Sequence, residues 1–187
     1  MNAITLVPLG NADRRLVADL GAQLMMSFGS RVTIHEGKTA LDPFHDHTRL
    51  QYNSTLLLRH LATEWAENNG HNGRGDAQGK LLAVASEDLF IPILTFVFGE
   101  AMLGGHAAVV SYHRLQNERY GLREDRDLLF RRLVKEAVHE IGHTFGLTHC
   151  TSSECVMRSS TDVEEIDLKG EKFCTHCAGE LAGNVQR

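Results

Sequence analysis

A chain of 187 residues, 42% hydrophobic and 23% charged, has the make-up of a globular protein able to bury one core as one domain. A formal net charge of −5, with no local cluster of Lys or Arg, gives no electrostatic footprint for nucleic acid. No stretch approaches the roughly 20 consecutive apolar residues of a membrane span, and Met1 to Gly10 has neither the basic start nor the apolar run of a signal peptide. A cytoplasmic monomer is expected, with thiols that are free or metal-bound.

Ile4 to Leu9 reads as a first strand. Asn11 or Asp13 can cap a helix running to about Ser27, because Leu16, Val17, Leu20 and Leu24 recur at helical spacing. Arg31 to Glu36 alternates as a strand. Leu41 to Thr48, broken by Pro43, is a loop. Within it His45-Asp46-His47 looks like a metal pair but has no partner at ligand spacing, and it reads as solvated. Asn53 or Ser54 caps a helix to about Glu67, with Trp65 and Leu61 on its core side. Asn68 to Lys80, rich in Gly and Asn, is a flexible loop by composition. Leu81 to Ala85, Phe96 to Phe98 and Ala107 to Tyr112 are strands, the last two linked through Gly99 to Gly105. Glu124 to Phe145, capped by Asp125 or Asp127, is the longest helix and buries Leu129, Leu133, Val134, Ala137, Val138 and Ile141. Irregular chain follows. The pattern is α/β (α+β): residues 1–146 form the strand-and-helix part and 147–187 a small C-terminal part.

The chemistry lies in His139-Glu140-Ile141-Gly142-His143-Thr144-Phe145-Gly146-Leu147-Thr148-His149, which has the form H-E-x-x-H-x-x-G-x-x-H. Two histidines four residues apart leave one face of a helix about 6 Å apart along its axis, which suits two ligands on one metal ion. Glu140 lies beside that face, where its carboxylate can reach a metal-bound water without ligating the metal. Gly146 can adopt the positive φ that ends a helix, so the chain can turn and return His149 as a third ligand. Three protein ligands leave a position open, the mark of a catalytic zinc site.

The four cysteines, Cys150, Cys155, Cys174 and Cys177, all lie in the C-terminal fifth of the chain. Four thiolates close a zinc tetrahedrally and leave no open site, so such a metal would hold structure. Two disulfides or a redox C-x-x-C are the rival readings. The first needs an oxidising compartment, and the second a strand–helix junction that this polar tail does not offer. His176, inside the C-x-x-C, is expected to be a solvated filler. There is no phosphate-binding Gly loop, nucleophile elbow or internal repeat.

From His139 to Cys177 the pattern, with Cys155-Val156-Met157 following Cys150 after a gap of four residues, resembles the archaemetzincins, a family of metzincin-clan zinc metalloproteases. The spacer from Met157 to Cys174 is slightly shorter than in that family's pattern. The resemblance extends less diagnostically to Phe96-Val97-Phe98-Gly99-Glu100-Ala101 and Val110-Ser111-Tyr112-His113-Arg114-Leu115. It implies a metzincin-like zincin: a mixed twisted sheet packed on helices, an active-site helix and a zinc-stabilised C-terminal part. It implies two zinc ions, a catalytic one on His139, His143 and His149 and a structural one on Cys150, Cys155, Cys174 and Cys177. Glu140 would be the general base and then acid in peptide-bond hydrolysis, and Met157 the Met-turn methionine beneath the metal. A peptide or protein substrate would lie extended along a sheet edge, for which Gly99 to Tyr112 is the candidate. There Gly104-Gly105 would permit close backbone approach, a plain hairpin being the competing reading. The tyrosine that some metzincins carry just after the Met-turn has no counterpart, since no tyrosine follows Tyr120. With the fold starting at Ala3, no pro-segment is expected, so latency would come from substrate access or a missing metal.

Two further readings remain. A zinc-stabilised peptide-binding protein with little proteolysis would need no base, and the intact Glu140 argues against it. A nucleic-acid zinc ribbon conflicts with Asp162, Glu164, Glu165 and Asp167 between the cysteine pairs. Neighbouring residues of an extended segment point to opposite sides, so His149 can face one metal and Cys150 the other.

Overall fold

The computed structural model describes residues 3–35, 39–69 and 79–185. The predicted loop at 68–80 therefore lies largely outside the described residues, as does Glu36 at the end of the second predicted strand.

Among the described residues the main sheet has five strands. β1 (Ile4–Pro8) pairs in parallel with β2 (Val32–Ile34) on one side and β5 (Lys80–Ala85) on the other. β8 (Ala107–Ser111) continues the parallel set beyond β5, and β7 (Gly99–Ala101) closes the edge antiparallel to β8. β5 and β8 are buried along their whole length, which is why they read as unbroken apolar runs rather than as alternation.

Successive side chains of these strands enter opposite layers. Ile4, Leu6, Leu82, Val84, Ala108 and Val110 pack with Val17, Leu20 and Leu24 of α1 (Arg14–Phe28) and with Leu133, Ala137 and Ile141 of α3 (Arg126–Thr144). Val7, Leu81, Ala83, Ala85, Ala107 and Val109 pack with Leu57, Leu58 and Leu61 of α2 (Ser54–Asn69). A fully buried leucine or isoleucine in such a layer contributes about 2 kcal/mol of transfer free energy. Among the described residues no helix is long and apolar enough to cross a membrane.

Caps fall where the sequence offers them. Asp13 accepts from the N–H groups of Arg15 and Leu16, Asn53 from Leu56, and Asp125 from Leu128. Three expectations are corrected. The strand expected at Phe96–Phe98 begins only at Gly99, and Val97 makes an isolated bridge to Leu89. The loop at 41–48 contains a 3-10 turn, Asp42–Phe44, and a short strand, β3 (His45–Asp46). β3 joins β4 (Gln51–Asn53) and β6 (Leu89–Phe90) in a second, three-stranded sheet. The C-terminal chain is not wholly irregular either. α4 (Val163–Leu168) is capped by Asp162, and α5 (Thr175–Val185) begins within the C-x-x-C.

β7 leaves one edge of the sheet open. Ser111 N–H donates to Phe98 O and Met102 N–H to Ala107 O, so Gly99 and Ala101 occupy the alternate pairs. Their own N–H and C=O groups therefore point away from β8. The β7–β8 turn docks on the end of α3. Gly104, at φ +67°, donates its N–H to His143 O at 2.9 Å, and Lys80 Nζ donates to Gly105 O at 2.6 Å and Thr144 O at 2.7 Å. Gly104-Gly105 thus serves a hairpin turn fastened to α3, and the open backbone lies upstream at 99–101.

Candidate active site

His139 and His143 stand one turn apart near the end of α3. The helix stops where Gly146, at φ +87°, reverses the chain: its N–H donates to His143 O and Leu147 N–H to Gly142 O. The reversal returns His149, and one nitrogen from each of the three imidazoles lies within 4.8 Å of the others. His139 Nε2 and His143 Nε2 are 3.0 Å apart. Val156 O accepts from His139 Nδ1 at 2.9 Å and Leu147 O from His143 Nδ1 at 2.7 Å. With Nδ1–H so engaged, the lone pair of each ring is on Nε2 and faces the centre, the usual preparation of a metal-ligating histidine. Burial holds the pKa of His139 well below the ordinary imidazole value and also lowers those of His143 and His149, so all three favour the neutral, ligating form. The donor set fits a zinc ion.

Glu140 is buried beside them. Burial, and after it the nearby Glu136 carboxylate, pushes its pKa well above the ordinary range. Gly99 of β7 makes room for it: a Cβ there would stand 2.6 Å from Glu140 Oε1 and 2.7 Å from Val109 O. Gly142 plays the same part on the opposite side of α3, where a Cβ would come within 2.6 Å of Met157 Sδ. Met157 is fully buried there, and its carbonyl accepts from Cys150 N–H. A cleft of about 330 Å³ runs past these groups, walled by 94–99 above, by Glu136, His139 and Glu140 below and by 159–161 at the side. No tyrosine lines it among the described residues.

The four cysteine sulfurs also converge within 4.8 Å of one another, and none forms a disulfide. Cys150 and Cys174 Sγ are 3.9 Å apart, and Cys174 N–H donates to Cys155 Sγ. The Cys177 N–H brings the Cys174 thiol down to about 7, whereas burial pushes Cys155 up. A cluster of this composition fits a closed tetrahedral zinc. His149 and Cys150 face the two different clusters, as alternation requires. His176 points away, its side chain 76% exposed beside Glu180.

Four groups that sequence reasoning missed bind the C-terminal chain to α3. Arg132 makes a two-pronged contact with Asp167 at 2.8 and 2.7 Å. Lys135 Nζ donates to the carbonyls of Ile166, Asp167 and Lys169 at the end of α4. Lys169 pairs with Glu136 at 2.7 Å, with both side chains buried. In the sequence these are ordinary charged residues on a helix and in an acidic tail; no local pattern marks them.

Imidazoles prepared on their inner nitrogens, a buried carboxylate and a cleft under an open strand edge together suit a zinc metallopeptidase, and comparison with known proteins agrees. The chain belongs to peptidase family M54, whose model matches residues 23–183. An archaemetzincin of Haloquadratum walsbyi is 36% identical over 177 residues, covering 93% of this chain and 96% of its own length. One from Methanocaldococcus jannaschii is 39% identical over 137 residues, covering 73% and 69%. Among solved structures, a zinc-dependent peptidase of Methanocorpusculum labreanum superposes with a TM-score of 0.84 at 32% identity, covering 95% of this chain and 99% of that one. An archaemetzincin of Archaeoglobus fulgidus, crystallised with malonate, gives 0.77 at 35% identity with the same coverage.

Proposed function

We propose that His139, His143 and His149 hold the catalytic zinc of this peptidase and that Glu140 is its general base and acid. The observation that carries this is the convergence of three imidazoles, two of them held through Nδ1 by backbone carbonyls so that their Nε2 lone pairs face inward, with Glu140 alongside. When bound there, zinc supplies Lewis acidity and lowers the pKa of water to about 7. Glu140 then accepts a proton from the attacking water and delivers it to the leaving amine. Its seat against Gly99 sets the carboxylate in the lining of the cleft. The substrate is a peptide or protein segment in extended form, hydrogen-bonded to the outward N–H and C=O groups of Gly99 and Ala101.

Cys150, Cys155, Cys174 and Cys177 would hold a second, structural zinc, and Met157 would be the Met-turn methionine. Reduced, clustered thiols support a cytoplasmic setting, and the acidic balance of the chain supports a protein that binds no nucleic acid. Glu140→Ala tests the central assignment. Zinc content should be unchanged while peptide turnover falls by about 10² to 10⁴. Full turnover in that variant rules the assignment out.

A further inference from the structure

We propose that His45 and His47 form an additional site for a borderline divalent transition-metal ion, outside the catalytic cleft. His45 lies in β3 and His47 follows it in the turn just past the strand's end. Two contacts fix that arrangement. Asp46 Oδ1 accepts from the N–H groups of Thr48 and Arg49 at 2.9 and 3.0 Å, which shapes the turn. The His45 ring rests against Tyr52, its partner across the β3–β4 ladder, at a centroid distance of 4.8 Å.

The two Nδ1 atoms are 3.1 Å apart, with ring centroids at 4.6 Å and planes at 84°. Two nitrogens each about 2.0–2.1 Å from one ion, at octahedral to tetrahedral angles, stand about 2.8–3.4 Å apart. The molecule supplies its own standard. His139 and His143 have facing nitrogens at 3.0 Å, centroids at 4.5 Å and planes at 90°. The His45–His47 pair reproduces that geometry on the surface, through Nδ1 instead of Nε2. Asp46 is engaged with backbone, so water completes the coordination. The site is therefore open and exchangeable, and it selects ions with high imidazole affinity, Cu²⁺ and Ni²⁺ ahead of Co²⁺ and Mn²⁺.

The test uses zinc-loaded protein without an affinity tag, titrated with Ni²⁺ by calorimetry, with zinc content measured before and after. About one Ni²⁺ per chain should bind without releasing zinc. Affinity should fall at least about tenfold in His45→Ala and in His47→Gln and persist in His60→Ala, a nearby exposed histidine. The proposal is overturned if Ni²⁺ uptake is absent, is matched by released zinc, or survives equally in the His45 and His47 variants. Circular dichroism and unchanged zinc content establish that each variant is folded.

Discussion

Two glycines do as much for the site as its charged groups. Gly99 keeps the strand edge close to Glu140, and Gly142 leaves room beneath α3 for Met157. Gly99→Ala would force the Glu140 carboxylate or the strand to move. Since small misplacements in a catalytic constellation can cost on the order of 10²-fold, we expect kcat/KM on a peptide library to fall by about 10- to 100-fold. Zinc content should not change, which separates this effect from loss of the metal. Gly142→Ala meets a buried sulfur and should lower stability by about 1–3 kcal/mol in urea unfolding. At this scale the H-E-x-x-H-x-x-G-x-x-H grouping was legible because helix pitch and one glycine turn are local. Gly99 was not, since its need arises from a helix forty residues further along the chain.

At the scale of elements, the end of α3 is held by a lysine from another strand. Lys80 is 9% exposed and satisfies carbonyls of both the β7–β8 turn and the last turn of α3, with its ammonium over the Phe145 ring at 4.7 Å. Lys80→Met leaves those carbonyls without this donor and should cost about 1–3 kcal/mol. Burial lowers the Lys80 pKa below the ordinary value of 10.5. For a base with a depressed folded pKa, the unfolded chain binds more protons between the folded and unfolded values. Stability from this group therefore rises as pH climbs through that window and is flat below it. The difference in urea midpoint between wild type and Lys80→Met, followed from neutral pH towards 10.5, should widen accordingly. A constant difference would contradict it. The long elements were readable from periodicity and caps. The six residues of α4 are too few to show a helical period, and the two glycines in α5 obscure its pattern.

For the molecule as a whole, the C-terminal chain is part of the same core as α3. Phe173 packs edge-on to Phe28 of α1 at 5.7 Å, and Asn184 Nδ2 donates to Phe145 O at 2.9 Å. We therefore expect one cooperative unfolding transition, with far-ultraviolet dichroism and the fluorescence of Trp65 changing together; separated midpoints would show two units. The proposed metal centres share backbone as well. Cys155 belongs to the thiol cluster, the next residue offers the carbonyl that orients His139, and Met157 follows. Cys174→Ser should consequently weaken zinc at the histidines by about 10- to 100-fold in a chelator competition, although it removes no histidine. This coupling was only partly legible. The His149–Cys150 adjacency pointed to it, but the Val156 carbonyl depends on how the tail folds back.

That fold-back also sets an order in time. A chain leaving the ribosome presents α3 and His149 well before Cys174 and Cys177, which anchor the loop behind His139. On the proposed assignment, the hydrolytic centre is assembled only after Cys174 and Cys177 have joined the chain. A message cut short between His149 and Cys174 would encode every residue of the proposed hydrolytic centre and still lack the pair that anchors the loop behind it.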